Sequence, residues 1–182
     1  IRRPDKEIAK VASSPGSGLR VTVFGVVQGV GFRPFLFRLA ERLRFKGWVK
    51  NIGHGVEIHL EASSKADFSR FLQALKEEKP PLAQIESVSS QPVTYQGYKD
   101  FRIRRSKEGK SFVFISPDIA TCPECRKEIA DPRERRFQYP FTNCTDCGPR
   151  YTIVRSLPYD RDKTTMAGFA MCPACRQEYE NP

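Results

Sequence analysis

Leu19-Arg20-Val21-Thr22-Val23-Phe24-Gly25-Val26-Val27-Gln28-Gly29-Val30-Gly31-Phe32-Arg33 changes its hydrophobic period partway along. Leu19, Val21 and Val23 alternate with Arg20 and Thr22, the two-residue period of a half-buried strand that ends near Val27. After the two glycines, Phe32, Phe35, Leu36, Leu39, Ala40 and Leu43 recur at the spacing of one helical face. Pro34 fits the first turn of that helix, where its missing N–H costs little. A strand that enters a helix through Gln28-Gly29-Val30-Gly31 places free backbone N–H groups and a positive helix end side by side, which favours an anion. Glycines let that backbone curl around phosphate oxygens without Cβ clashes, and Arg33 can offer two of those oxygens a planar, charge-assisted fork.

Outward from this stretch the periods continue to alternate. A second strand is expected at Gly47–Asn51 and a third through Val56, Ile58 and Leu60, whose partners Glu57, His59 and Glu61 read as a polar outer face. Gly53-His54-Gly55 links the two as a hairpin turn. A second amphipathic helix is expected from about Lys65 to Glu78, buried through Phe68, Phe71, Leu72 and Leu75 and stopped by Pro80-Pro81. Strands over Ile85–Val93 and Phe101–Arg105 complete an α+β, ferredoxin-like βαββαβ order with two helices on one sheet. His54 in a glycine turn and His59 on a polar strand face are read as bystanders to any chemistry.

The 182 residues are 39% apolar, which suits globular folding and excludes a disordered or fibrous chain. Residues 1–18 mix charges with Ser, Gly and Pro, reading as a flexible leader with no signal-peptide core, and no stretch suits a membrane span. The net charge of +10 is uneven: residues 19–105 hold 15 Lys and Arg against 8 Asp and Glu, while residues 106–182 hold 12 against 11. The basic balance therefore belongs to the segment with the anion loop.

Beyond Ser106 apolar residues thin out and all six cysteines appear, so this segment needs something other than a core to hold it. The cysteines fall as Cys122-x2-Cys125, Cys144-x2-Cys147 and Cys172-x2-Cys175. Each pair presents two thiolates on a tight turn, and two pairs complete a tetrahedral four-cysteine zinc site. Without an export signal, metal ligation is preferred to disulfides. Cys122-Pro123-Glu124-Cys125-Arg126 recurs fifty positions later as Cys172-Pro173-Ala174-Cys175-Arg176, so three pairs make one site and a half. The expectation is a fragment of a longer protein whose second finger closes past Pro182. Sequential sharing of one zinc by Cys122, Cys125, Cys144 and Cys147 is preferred, with an interleaved pairing of Cys122 and Cys125 with Cys172 and Cys175 left open.

The unbroken string Val27-Gln28-Gly29-Val30-Gly31-Phe32-Arg33, with Gly47-Trp48-Val49-Lys50-Asn51 at the end of the next strand, resembles the acylphosphatase signature. That resemblance implies hydrolysis of an acyl phosphate, with Arg33 and Asn51 as the catalytic pair. Arg33 would bind the phosphoryl group together with the loop Gln28, Gly29, Val30, Gly31 and Phe32, and Asn51 would orient the attacking water. An acyl phosphate has a good leaving group, so positioning and charge stabilisation suffice without a metal.

An acylphosphatase-like segment followed by C-x2-C-x18-C-x2-C fingers is similar to the N-terminal part of the hydrogenase-maturation carbamoyltransferases, the HypF family, including Ser116-Pro117-Asp118 and Cys147-Gly148-Pro149-Arg150-Tyr151. The resemblance implies carbamoyl phosphate as substrate, structural zinc, and ATP used only by domains outside these residues. It also implies transfer of the carbamoyl group to the C-terminal cysteine of a partner maturation protein, for the cyanide ligand of a nickel–iron site, in the cytoplasm. No nucleic-acid or membrane partner is expected. The competing reading is a non-catalytic phosphate- or nucleic-acid-binding module with structural zinc fingers, although the sheet lacks the aromatic pattern of an RNA-binding domain.

Overall fold

The computed structural model of the chain describes residues 16–53, 55–62, 68–105, 120–142, 144, 147, 153, 155–156 and 161–180. The expectations for residues 1–15, His54, Lys65, Ser116-Pro117-Asp118 and Gly148-Pro149-Arg150-Tyr151 lie outside the described residues. The first part runs β1 (Ser17–Val26), α1 (Phe32–Arg42), β2 (Lys46–Ile52), β3 (Gly55–Ala62), α2 (Phe68–Glu77), β4 (Gln84–Val93) and β5 (Phe101–Ile103). The strands form one sheet in the order β4-β1-β3-β2-β5. The expected βαββαβ arrangement is present, with β5 added parallel to β2 on its outer edge.

Strand β1 begins two residues before Leu19, because Gly18 pairs with Glu61 on one side and Val93 on the other. Ser17 and Gly18 read as leader from composition, yet a Cβ at Gly18 would lie 2.8 Å from the Val93 carbonyl oxygen, so this strand crossing requires glycine.

Register divides the sheet into two faces. Val21, Ile58 and Val49 align across β1, β3 and β2, as do Val23, Val56 and Asn51 two residues along. This face meets Phe32, Phe35, Leu36, Leu39 and Ala40 of α1 and Phe71, Ala74 and Leu75 of α2, all buried. Phe45 stacks on Phe68 at 5.3 Å between ring centroids and meets the edge of Phe71 at 5.7 Å, closing the seam between the helices. Burying a large apolar side chain contributes about 1.5–3 kcal/mol, so this helix-covered face is the main source of stability.

The other face corrects an expectation. His59 and Glu61 are not solvent-facing: they are 1% and 0% exposed. The connection between β4 and β5 lies over them, with Glu61 accepting hydrogen bonds from the backbone N–H groups of Gln96, Gly97 and Tyr98 at 2.6, 2.9 and 3.0 Å. His59 Nε2 lies 2.8 Å from Glu61 Oε1. The His59 ring stacks on Trp48 and meets Tyr98 edge-on, while the Arg104 guanidinium sits over both Trp48 and Tyr98. Alternation along β3 is intact; what changes is that both of its faces are covered.

The cysteine-bearing part contributes two short helices, α3 (Pro123–Ala130) and α4 (Pro173–Glu180), with 3-10 turns at Arg161–Lys163 and Thr165–Gly168. Arg135 and Arg136 join the helices: Arg136 bonds both Glu128 of α3 and Glu178 of α4, and Arg135 donates to Glu178 at 2.7 Å.

Candidate phosphate site and metal centre

The phosphate loop is bent by glycine. Gly29 and Gly31 both have φ of 73°, a left-handed conformation open to glycine and strained for most other residues. Gly31 stands immediately before α1, and its carbonyl accepts the Phe35 N–H at 3.0 Å. The N–H groups of Phe32 and Arg33 precede the helical ladder, and the first turn has no side-chain cap and no acidic residue of its own. A helix whose own first turn carries Arg33, no side-chain cap and no acidic residue gathers positive charge where the dipole already places it. An anion resolves that arrangement.

Asn51 supplies the second half. It lies on the helix-covered side of β2, in line with Val56 and Val23, and is 0% exposed. Neither its Oδ1 nor its Nδ2 has a hydrogen-bond partner among the described residues. An unpartnered buried amide costs on the order of 1–3 kcal/mol, so a side chain kept in that state marks a place made for a ligand or a water. Its neighbour Lys50 points to the opposite face and pairs with Glu57 at 2.9 Å.

Gln28 ties the two halves together. Its Nε2 donates to the carbonyl oxygens of Ile52 at 2.8 Å and Gly55 at 2.9 Å, joining the loop to the strand end that carries Asn51. His59 faces away from this site on the other side of the sheet, consistent with its reading as a bystander to the chemistry.

In the second part, Pro123 opens α3 directly after Cys122, whose Sγ accepts the Cys125 N–H at 3.4 Å. The second pair repeats the turn, with Cys147 N donating to Cys144 Sγ at 3.5 Å. The four sulfurs lie within 4.8 Å of one another, with Cys122–Cys144 and Cys125–Cys147 separations of 3.6 Å and Cys144–Cys147 at 3.5 Å. Tetrahedral zinc with bonds of about 2.3 Å requires sulfurs roughly 3.8 Å apart, so the donor set and spacing fit. Burial opposes charge on Cys147, but the backbone donors of Cys122 and Cys144 and the adjacent thiols outweigh it and lower its pKa to about 6. Burial, followed by the neighbouring sulfurs, pushes the Cys125 thiol up. Within the cluster Cys147 thus gives up its proton readily, while Cys125 resists until a cation compensates.

Sequential grouping is what the geometry brings together. Cys172 and Cys175 stand outside the cluster, though they repeat its turn, with Cys175 N donating to Cys172 Sγ at 3.4 Å. The contact sequence reading missed is Arg135 Nη1 to Cys175 Sγ at 3.2 Å; its partners are forty positions apart, and no local pattern announces it.

Comparison with known proteins places these two sites in context. Residues 19–103 match the family model "Acylphosphatase" and residues 121–154 match "HypF finger". A carbamoyltransferase HypF from Rhizobium leguminosarum bv. viciae is 47% identical over 160 residues, which are 88% of this chain and 21% of that protein. An acylphosphatase from Coxiella burnetii is 40% identical over 86 residues, covering 47% of this chain and 90% of that protein. A crystal structure of full-length HypF in its phosphate- and nucleotide-bound form superposes with a TM-score of 0.84 at 42% identity, covering 93% of this chain and 22% of that one. The chain therefore spans about a fifth of the length of the carbamoyltransferases it matches.

Proposed function

Because the chain belongs to the acylphosphatase family, as an acylphosphatase-type hydrolase domain over residues 19–103 followed by a HypF finger over residues 121–154, we propose that it hydrolyses carbamoyl phosphate with Arg33 and Asn51. The observation carrying this reading is the fully buried Asn51 amide, without a hydrogen-bond partner among the described residues and tied by Gln28 to an uncapped glycine loop that leads into Arg33.

In this reading the loop N–H groups and the Arg33 guanidinium hold the phosphoryl oxygens and stabilise the charge that spreads over them in the transition state. The Asn51 amide holds a water in line with the departing carbamate, its oxygen accepting a hydrogen bond from that water, whose protons leave on the inorganic phosphate formed. The leaving group is stable as an anion, so no side chain need deliver a proton. Zinc is structural: Cys122, Cys125, Cys144 and Cys147 hold one ion, and Cys172 and Cys175 supply half of a second. The wider role proposed from the sequence resemblance is carbamoyl transfer to a partner protein's C-terminal cysteine during nickel–iron hydrogenase maturation in the cytoplasm, with ATP used outside residues 1–182. The division into a leader at 1–18, a hydrolytic unit at 19–105 and a zinc-held unit at 106–182 belongs to the same proposal.

The test is phosphate release from carbamoyl phosphate and acetyl phosphate by the zinc-loaded chain beside Arg33→Ala and Asn51→Ala. Loss of release in both variants with folding intact is the expected result. Release at the buffer rate by the unaltered chain would leave only a phosphate-binding module.

A further inference from the structure

Resting on that reading, we propose that Gln28 is a positioning residue that sets the distance between the phosphate loop and Asn51, and so acts on turnover more than on phosphate binding. Gln28 is 6% exposed, and one nitrogen, Nε2, donates to two carbonyl oxygens, Ile52 O at 2.8 Å and Gly55 O at 2.9 Å. Those carbonyls belong to a single cross-strand pair, Ile52 opposite Gly55, and the next pair inward is Asn51 opposite Val56. The amide therefore clamps the mouth of the β2–β3 hairpin one residue from Asn51.

The hairpin is held from its other side as well. Gly55 packs so closely on β1 that a Cβ there would lie 2.0 Å from the Val23 carbonyl oxygen. With β1 fixing one side and Gln28 the other, the backbone at Asn51 has little freedom. The Asn51 side chain has no hydrogen bond of its own among the described residues, so its placement is inherited from that backbone.

A primary amide suits the task. Two hydrogens on one nitrogen meet two carbonyls without burying a charge, which Lys or Arg would do. The oxygens of a bound phosphate would instead meet backbone N–H groups and Arg33, so the grip on the anion and the placement of the water reside in different atoms. A misplacement of about 1 Å at a water-orienting group can cost 100-fold in rate.

The experiment uses the zinc-loaded full chain and measures kcat with carbamoyl phosphate and, separately, the inhibition constant of inorganic phosphate. Gln28→Met keeps length and burial but donates nothing. It should lower kcat by about 10- to 100-fold while the phosphate inhibition constant moves less than about threefold. Gln28→Asn keeps the amide on a shorter arm and gives the same split should Gln28→Met not fold. A Gln28→Met kcat within twofold of the unaltered chain, or a parallel fall in phosphate affinity, overturns the positioning role alone. An unaltered chain without turnover, or an Asn51→Ala chain with full turnover, overturns the underlying reading and this one with it.

Discussion

Replacing Glu61 by Gln tests whether the second face of the sheet is held by one buried carboxylate. Its Oε1 accepts from His59 Nε2 and Gln96 N, and its Oε2 from Gly97 N and Tyr98 N. A glutamine keeps one acceptor oxygen and turns an NH2 toward the donors of the other, so about two charge-assisted bonds are lost. Each is worth about 1.5–3 kcal/mol. Part of that is recovered, because the Gln96–Gly97 stretch is exposed and its N–H groups can turn to water, and because a buried charge is removed. The net expectation is about 2–3 kcal/mol of destabilisation, or roughly 10–20 °C in Tm for a unit of this size. Urea unfolding followed by the emission of Trp48, the single tryptophan, reads this face directly, since its ring stacks on His59. Burial alone would raise the Glu61 pKa, but the bonds from His59 and the three backbone N–H groups outweigh it and hold it below the ordinary glutamate range. A depressed carboxylate stabilises fully above its unfolded value of about 4.3 and loses that contribution as the pH falls through its folded value. The gap between the unaltered chain and Glu61→Gln should therefore be widest near pH 7 and narrow toward pH 3. A difference under about 0.5 kcal/mol at pH 7, or one that stays constant down to pH 3, refutes the reasoning.

Asn51→Leu should abolish phosphate release yet raise stability by about 1 kcal/mol in the same urea assay, because it removes a buried amide that has no partner among the described residues. Zinc removal by a strong chelator at neutral pH should release about one tightly held ion from Cys122, Cys125, Cys144 and Cys147 and abolish the helical signal of α3. The Trp48 transition should stay within about 1 kcal/mol of its original value, since the sheet has its own core. Metal titration with an absorbing cobalt substitute and circular dichroism read the two effects separately.

The loop and first helix were legible because their chemistry is local: two glycines and a switch of period say where a strand ends and a helix begins. The four-cysteine cluster was legible because tetrahedral ligation leaves its spacing in the chain. Asn51 could be named by resemblance, but its isolation within the core could not, since alternation gives a face and not the partners on it. His59 and Glu61 show the same gap from the other side. Their cover comes from backbone N–H groups some 35 residues away, and a backbone donor has no residue type to reveal it. Ser17 and Gly18 read as linker because close strand crossings and flexible segments call for the same small residues. The arginines that bridge α3 and α4 were counted only as charge.

The strand order β4-β1-β3-β2-β5 also dictates when the anion grip can exist during folding. Strand β1 has no sequence neighbour beside it: it pairs with β3 and with β4, so wide loops must close before it gains a partner. Such non-local pairing slows folding relative to a helical bundle. The phosphate loop follows β1 and is synthesised before its anchoring acceptors at Ile52 and Gly55, and the strand-end partner of Gly25 and Val26 lies further on, in Gln84–Ile85. A nascent chain therefore carries the complete loop sequence long before it can hold an oxyanion. On the proposed reading, phosphate would bind only the finished sheet and so act as a late stabiliser, raising the yield of correctly closed molecules without guiding the early steps.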